Sequence, residues 1–567
     1  MKYLDLAETY KELEENPSRL KKIEILSSLL NKLKKEKNKE IIYLLQGRIF
    51  PDFNKTELGV SSQLIKKAIT RATGTSEEKI TKLWKEKGDL GLVAAELVSR
   101  KSQTTLTLKE LTAEKVLENL RKLCEFSGKG TVDKKLALIS ELLTAAKPIE
   151  AKYITRTVLT DLRIGIGDSS LRDAIVGSCL KDKDKKLASD LVQEAYDKTT
   201  DFFIVFEDAC KGAKFLENTE LTPGRPVKVM LFPKVKDIKE GFERAGKPAA
   251  FEFKYDGFRM MINKYEGKLK IFTRRLDEVT PQFPDAAKYA NEFINAKSFI
   301  IDCEAVGYDP KTKQYKPFQA ISQRIKRKYD IEKLEKELPI ELNIFDIIYY
   351  NGKSLLNEPF IKRRKIIEKI VKEKKFKIRL AEQLITDSEE KAQKFYEIAL
   401  KQGQEGLMIK KLDSPYKPGV RIGHGFKLKP QDKDFDLVIT GAEYGTGKRA
   451  GWLTSYDVSC RDKDKLLEIG KVSTGLKEKE ELGLSFKEMT EKLKPLIKKE
   501  SGKKVILSPE IIVAVTYQNI QKSPSYSSGF ALRFPRITAL RPDRNKDDIT
   551  SLSEIKNEYE KAREWAI

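Results

Sequence analysis

From residue 1 to about residue 216, apolar side chains recur three and four positions apart, the spacing of amphipathic helices. Leu136, Ile139, Leu142 and Leu143 show this spacing, with Pro148 shortly after them, and a further helix is predicted from Glu150 to Leu162. Next comes the glycine-bearing stretch Arg163-Ile164-Gly165-Ile166-Gly167-Asp168-Ser169-Ser170, whose serines are expected to cap a helix starting near Leu171. Asn218 to Pro226 is polar, with two prolines and a glycine, and reads as a linker. Beyond Val227 the pattern shifts to short β-branched and aromatic runs: Phe251-Tyr255, Leu269-Thr273, Ser298-Tyr308, Glu341-Tyr350 and Gly406-Lys411. Helical stretches near Asp285-Asn295 and Ile361-Glu373 separate them, which makes this a mixed α/β region. A second boundary is read at Pro430-Gln431-Asp432-Lys433-Asp434. Strand-like runs follow at Phe435-Ala442, Ser455-Ser459, Leu466-Val472 and Glu510-Tyr517, with one amphipathic helix at about Lys479-Ile497 and a helical tail at Ser551-Ile567. Strands broken by a single helix after the third suit a small OB-type barrel. The expected fold is thus multidomain: an all-α N-terminal domain over 1–216, an α+β domain over 217–430 and a β-barrel OB-fold domain with a C-terminal helix over 431–567. No internal repeat and no low-complexity segment stands out.

Charge adds a partner class. The 567 residues carry 110 Lys+Arg against 86 Asp+Glu, a net charge of +24. That excess suits a polyanion, nucleic acid before membrane surface, although a densely charged soluble surface also accounts for it. The five cysteines are scattered without a CxxC pair, and His424 is the single histidine. Neither a Cys/His zinc site nor a disulfide framework is expected. No signal-peptide core and no apolar run of membrane-spanning length occurs, so a cytoplasmic protein without a membrane partner is expected.

The chemistry centres on Phe251-Glu252-Phe253-Lys254-Tyr255-Asp256-Gly257. Alternation there predicts a half-buried strand with Glu252, Lys254 and Asp256 on one face, and Gly257 permits a sharp turn. An amine beside carboxylates is either a salt-bridged surface lysine or an activated nucleophile. Further along, Glu304 ends an apolar strand, Phe345 lies in Asn343-Ile344-Phe345-Asp346, Glu405 and Lys410 bound a buried-looking strand, and Lys427 and Lys429 alternate. Taken singly, Phe345 suits a core position and the paired lysines suit a solvated strand edge.

In this order, Lys-x-Asp-Gly, a strand Glu, a Phe-Asp strand, Glu-Gly-x-x-x-Lys and Lys-x-Lys resemble the covalent nucleotidyltransferase superfamily. In that chemistry a lysine amine attacks the α-phosphate of a nucleoside triphosphate, releases pyrophosphate and forms a phosphoramidate. Lysines and Mg²⁺ offset the charge on the triphosphate; Mg²⁺ prefers oxygen ligands, of the kind Glu304 and Glu405 supply, and Phe345 can cover a purine. Ser528-Gly529-Phe530-Ala531-Leu532-Arg533-Phe534-Pro535-Arg536 with Leu540-Arg541-Pro542-Asp543-Arg544 resembles the C-terminal motif of ATP-dependent DNA ligases. Thr273-Arg274-Arg275-Leu276-Asp277-Glu278-Val279-Thr280 resembles a further motif of that family. Glu57-Leu58-Gly59-Val60 and Leu162-Arg163-Ile164-Gly165 resemble the DNA-binding domain of its archaeal–eukaryotic replicative type.

That resemblance covers essentially the whole chain and implies a set of roles. Lys254 is the adenylated nucleophile; Glu252 and Phe345 hold adenine; Arg259, Arg274 and Glu304 surround ribose and phosphate. Lys410, Arg421, Lys427 and Lys429 serve the phosphates, Arg533 and Arg536 orient pyrophosphate, and Glu304 and Glu405 bind metal. ATP and Mg²⁺, or Mn²⁺ in its place, are the implied cofactors. Nicked double-stranded DNA is the implied partner of a monomer that works in replication, repair, recombination and cell division. The stretch Arg421-Ile422-Gly423-His424-Gly425-Phe426 departs from the family, which usually has more basic residues and a tryptophan there, and Arg544 stands in place of a lysine. Gln103 lies where archaeal ligases contact a sliding clamp, but Thr107 and Leu108 replace the aromatic pair, so only weak clamp binding is expected. An RNA ligase or capping-type nucleotidyltransferase shares the nucleophile motifs; a non-catalytic DNA-binding protein would give no reason for Lys254, Glu304 and Lys410 to co-occur.

Overall fold

The computed structural model describes the chain apart from residues 101–109, 127, 129, 317, 326, 328, 421, 422, 431, 432, 446–448, 450, 479, 480, 482 and 565–567, and apart from the side chains of 319 and 561–564. The chain divides into two compact units. One holds Met1–Pro233, Asp256–Glu382 and Lys410–Gly425, the other Lys234–Tyr255, Gln383–Ile409 and Phe426–Ile567. Among the described residues no helix is long and apolar enough to cross a membrane.

In the first unit, helices joined by short loops run from Tyr3 to Glu217 around one apolar core. The helix Val132–Ala145 lies where its apolar spacing predicts. The next helix is Pro148–Val158, earlier at both ends than Glu150–Leu162. Proline suits a first turn because its missing N–H would be unbonded there anyway, and Glu150 reaches back to accept from the Lys147 amide at 2.7 Å. Left-handed Thr160, at φ 56°, stands just past its end, and Arg163, at φ 58°, is left-handed in the loop that follows. The helix expected from Leu171 starts at Asp168 with Gly167 as its cap, so Ser169 and Ser170 lie inside the first turn and do not cap it. No strand or helix is formed from Asn218 to Pro233, where Leu221, Val227, Val229 and Met230 are nevertheless buried in an apolar cluster.

The same unit contains an antiparallel sheet ordered Lys268–Thr273, Phe258–Tyr265, Phe299–Tyr308, Ile340–Tyr350, Lys353–Ser354. The second of these was not legible as a separate strand. Ile262, Ile301 and Ile344 share a core with Phe283, Ala286 and Ala290 on or beside the helix Pro284–Phe293 and with Ile367 and Ile370 of Phe360–Ile370.

The second unit contains a five-stranded sheet ordered Lys234–Val235, Gly425–Leu428, Gly406–Lys410, Ala249–Lys254, Gln383–Thr386, in which only Gly425–Leu428 and Gly406–Lys410 are neighbours that also follow one another in the chain. Ala249–Lys254 is buried along both faces rather than half-buried, because it is an inner strand. Phe251 packs edge-on against Phe242 and Phe253 stacks on Phe395, from two helices, Ile238–Ala245 and Glu389–Lys401. Glu252 and Lys254 therefore face the other way.

The C-terminal part is strand-rich. Its long strand Lys433–Tyr444 pairs antiparallel with Leu453–Asp462 along one edge. Along the other it pairs first with Ile512–Tyr517 and then with Lys504–Leu507. The helix expected over Lys479–Ile497 is Phe486–Leu493 among the described residues. Ser485 caps it by accepting from the Glu488 amide at 3.0 Å, and Pro495 stands in the turn that ends it. Ile497–Ser501 then forms a hairpin with Lys504–Leu507 across left-handed Gly502, in a stretch where the sequence predicts no element beyond Ile497. The tail helix is Leu552–Glu564.

Candidate active site and nucleic-acid contacts

In the second unit, the end of the strand Ala249–Lys254 is tied to the segment before Gly406–Lys410. The Glu405 amide donates to the Lys254 carbonyl at 2.8 Å, and the Lys254 Nζ lies 2.7 Å from Glu405 Oε2. The Lys429 ammonium bonds that same carboxylate oxygen. Lys254 and Glu405 are only 22% and 18% exposed. Burial would push the Glu405 carboxyl up, but Lys254 and Lys429 outweigh it and hold it below its ordinary value. One carboxylate thus gathers two lysines at the edge of a buried sheet. Lys427 lies in register with Lys234 on the neighbouring strand. Glu252, almost fully buried, accepts from Gln383 Nε2 at 2.8 Å across the Glu252–Gln383 register pair.

Glycine is needed at Gly406, which has φ 134°; a Cβ there would stand 2.2 Å from the Leu428 carbonyl oxygen. Gly257, in the first unit, is needed for a different reason from the sharp turn expected of it. Its φ is not left-handed, but a Cβ would stand 2.4 Å from the Ala305 carbonyl oxygen and 3.0 Å from Glu304 Cγ.

Around the antiparallel sheet of the first unit lies a second cluster. Arg259 is in register with Glu304, and its Nε donates to Asp302 Oδ1 at 2.7 Å while Nη2 bonds Oδ2. Nη1 donates to the Met230 carbonyl and Nη2 to the Tyr416 hydroxyl, each at 3.2 Å. The Tyr416 hydroxyl in turn donates to Asp302 Oδ2 at 2.9 Å. Burial works against the Arg259 charge, but Asp302 outweighs it and keeps the guanidinium firmly protonated. This guanidinium stands 5.3 Å from the centre of the half-buried Phe345 ring, and the Lys410 ammonium stands 4.8 Å from it. Lys410 Nζ also donates to the Phe345 carbonyl at 3.3 Å. Asp302 and Tyr416 were missed from sequence. Asp302 sits inside an apolar run, and Tyr416 lies far along the chain with nothing local to mark it.

Arg274 is exposed in the turn after Lys268–Thr273. Arg533 ends the strand Phe530–Arg533 and exposed Arg536 begins Arg536–Leu540. Arg541 and Arg544 are turned to Asp436, at 2.8 Å and 3.5 Å. Arg421 and Gln103 lie outside the described residues. Burial lowers the His424 imidazole below its ordinary value, with Lys417 and Lys411 adding to it. Among the described residues no group of three or more His, Cys, Asp or Glu is placed to hold a metal ion.

The helical part holds a recurrence at the two glycine stretches noted in the sequence. Lys22, the fourth residue of the helix Arg19–Leu33, donates to the carbonyls of Ile164 and Gly165 at 2.6 and 3.2 Å. Lys135, the fourth residue of Val132–Ala145, donates to those of Leu58 and Gly59 at 2.8 and 3.2 Å. Gly165 and Gly59 are both left-handed, at φ 65° and 60°, and a helix starts three residues after each, at Asp168 and Ser62. Each turn therefore has a nearly buried ammonium behind it and a helix N-terminus beside it, an arrangement that attracts phosphate.

Comparison with known proteins places these clusters in a family. The DNA ligase N terminus matches residues 2–176, the ATP dependent DNA ligase domain residues 229–429, and the ATP dependent DNA ligase C terminal region residues 449–544. These are the three parts of a ligase, in order. The chain is 43% identical to the DNA ligase of Nanoarchaeum equitans, covering 99% of each. It is 39% identical to that of Thermococcus fumicolans, covering 99% of this chain and 98% of that one. A solved structure described as Pmar-Lig_PreS3 shares the fold with a TM-score of 0.54 at 16% identity, covering 94% of this chain and 99% of that one. The chain belongs to the ATP-dependent DNA ligase family. The helical N-terminal region and the strand-rich C-terminal region are the outer parts of that architecture.

Proposed function

We propose that the chain seals single-strand nicks in duplex DNA with ATP, through lysyl-AMP and then DNA-adenylate, during replication, repair and recombination. The observation that carries this reading is the Glu405 carboxylate shared by Lys254 and Lys429. In the first step the Lys254 nitrogen lone pair forms the bond to the α-phosphorus as the bond to pyrophosphate breaks. In the second the 5′-phosphate at the nick displaces Lys254 and takes the adenylate. In the third the 3′-hydroxyl attacks that phosphate and AMP leaves. An ammonium has no lone pair, so Lys254 must shed a proton and leave its ion pair with Glu405 before its nitrogen attacks. Lys427 and Lys429, with Lys410 and Arg421, serve the phosphates whose charge develops in the first and third steps.

Glu252, set by Gln383, and Phe345, flanked by Arg259 and Lys410, hold adenine. Arg259 acts from beneath, since Asp302, Met230 and Tyr416 engage all its nitrogens; Arg274 and Glu304 attend the ribose and phosphate. Glu405 and Glu304 are single carboxylates of the type Mg²⁺ takes when substrate phosphates complete its shell, and that ion, or Mn²⁺, would supply positive charge beside the phosphates. Three domains serve the reaction: DNA-binding over 1–216, adenylation over 217–430 and an OB fold over 431–567 that brings Arg533 and Arg536 to pyrophosphate. The long strand Lys433–Tyr444, changing partner along one edge, supports the OB reading. The enzyme works as a monomer, and Gln103 gives at most a weak clamp contact.

The test is single-turnover sealing from ATP and from pre-adenylated nicked DNA. Lys254→Ala is expected to abolish the phosphoramidate and sealing from ATP, yet to seal pre-adenylated nicks measurably, though more slowly. Normal sealing from ATP by that variant, free of bound AMP, would remove Lys254 from its role.

A further inference from the structure

Neither DNA nor ATP accounts for a pair of thiols in the helical part. Cys179 is the last residue of the helix Asp168–Cys179, and Cys210 is next to last in Phe202–Lys211. Their sulfurs are 3.6 Å apart although the residues are 31 positions apart in sequence. Both side chains are partly accessible, and all five cysteines of the chain are free thiols. The Ser178 hydroxyl lies 3.3 Å from the Cys179 sulfur, and the Lys34 ammonium is anchored alongside on the Ser178 carbonyl. The arrangement is a preassembled dithiol: two sulfurs already in contact, on two helices, with a cation beside them.

We propose that Cys179 and Cys210 form a reversible redox modification site, oxidised to a disulfide by low-molecular-weight disulfides. The Cys179 thiolate attacks one sulfur of the small disulfide, whose S–S bond breaks and releases a first small thiolate. Cys210 loses its proton and its sulfur attacks the Cys179 sulfur, expelling the second small thiolate. The protein loses two electrons and two protons; the small disulfide gains both and becomes two thiols. Cys179 is the attacking sulfur. The Cys210 hydrogen bond holds its thiol down to about 7 against burial, and Ser178 and Lys34 add to the effect. Cys210 is correspondingly pushed up, first by that same hydrogen bond and then by burial. Cys124, also half-buried, has a thiol raised by burial and no thiol partner, so it is an internal control. The bond closes a long loop and restricts the unfolded chain, so oxidation stiffens the helical part without touching any group of the proposed adenylation chemistry.

The full-length protein, equilibrated with oxidised glutathione, alkylated under denaturing conditions and digested, tests this. The expected result is a loss of two of the five thiols and a Cys179–Cys210 linked peptide, with Cys124 still alkylated. Oxidation should raise the unfolding midpoint of the helical part by about 5–10 °C. Cys179→Ser and, separately, Cys210→Ala should lose both the link and the shift, while sealing of nicks by the unoxidised protein stays unchanged. Glutathione mixed disulfides that persist on either cysteine, five unreacted thiols, or a linked peptide joining another pair would overturn the proposal.

Discussion

Arg259 shows how the site is held at the level of single side chains. Its guanidinium is one-fifth exposed, its partner Asp302 fully buried, and the Tyr416 hydroxyl bonds both. A buried charge that loses its partner is left uncompensated, and that costs about 3–5 kcal/mol. Asp302→Asn keeps the shape and removes the charge, so it should lower stability in chemical denaturation by an amount in that range. Tyr416→Phe removes one hydroxyl and should cost about 1–2 kcal/mol. If Asp302→Asn proves no less stable than Tyr416→Phe, the ion pair is not what holds Arg259 beneath Phe345. Gln383 makes a second residue-scale case. It sets one oxygen of Glu252 from the neighbouring strand, and on the proposed adenine-holding role of Glu252 that orientation acts in nucleotide binding. Gln383→Ala should raise the KM for ATP in lysyl-AMP formation by roughly tenfold, about one hydrogen bond, with little change in the maximal rate. An equal fall in rate at saturating ATP would instead assign Gln383 to the chemical step.

At the scale of elements, the glycine in Glu-Gly-x-x-x-Lys is a packing requirement. Gly406 lets the strand carrying Lys410 lie against the Leu428 carbonyl, next to Lys429, while Glu405 reaches back to Lys254. Gly406→Ala should force those strands apart, cutting lysyl-AMP formation at least about tenfold and destabilising the fold by about 1–3 kcal/mol; labelled-ATP adduct yield and thermal unfolding read the two effects. The N-terminal helices are joined by charge as well as by core. Burial would raise Glu14, but Arg156, Lys152 and Tyr153 hold it down to about 2 from 4.5. Its folded value is depressed, so its contribution is present above pH 4.5 and lost as the pH falls towards 2. Glu14→Gln should flatten the acid-unfolding curve in that window. Five strands of the middle part, Ala249–Lys254, Lys268–Thr273, Phe299–Tyr308, Ile340–Tyr350 and Gly406–Lys410, were legible as apolar runs, whereas short ones such as Gln383–Thr386 and Ile378–Leu380 were not. Nor was Phe258–Tyr265, since Arg259, Asn263 and Lys264 interrupt its apolar residues and it has a single β-branched residue, Ile262. The hairpin of Ile497–Ser501 with Lys504–Leu507 was not legible, since its first strand is exposed and charged and carries no apolar alternation. Lys254, Glu405 and Lys429 were legible as motif residues, but their shared carboxylate depends on three segments distant in sequence, and Asp302 and Tyr416 had no local signature at all.

At the scale of the whole molecule, the net charge of +24 is spread over the chain, so charge alone does not say where DNA binds. The two lysine-backed glycine turns are the expected place. Each combines the amides of a helix start with an ammonium fixed behind the turn, and the pair offers two phosphate contacts on one helical body. Phosphate contacts of this kind release counterions, so log affinity should fall linearly with log salt, by about 0.9 per contact. Alanine at Gly59 or Gly165 would adopt a left-handed conformation and bring its Cβ within 2.7 Å of the lysine Nζ, displacing the turn while leaving the surrounding helices in place. Each single variant should bind nicked duplex more weakly and lower the salt slope by about one; the double variant should lower it by about two. Adenylation by ATP alone needs no DNA and should be unaffected in all three. The measurement is nick binding by full-length protein over a range of salt, paired with adduct formation in the absence of DNA. A double variant that stays folded, forms lysyl-AMP at the parent rate and keeps the parent's salt slope would move the DNA contacts away from these turns. A parallel loss of adenylation would show that the substitutions had disturbed more than DNA binding.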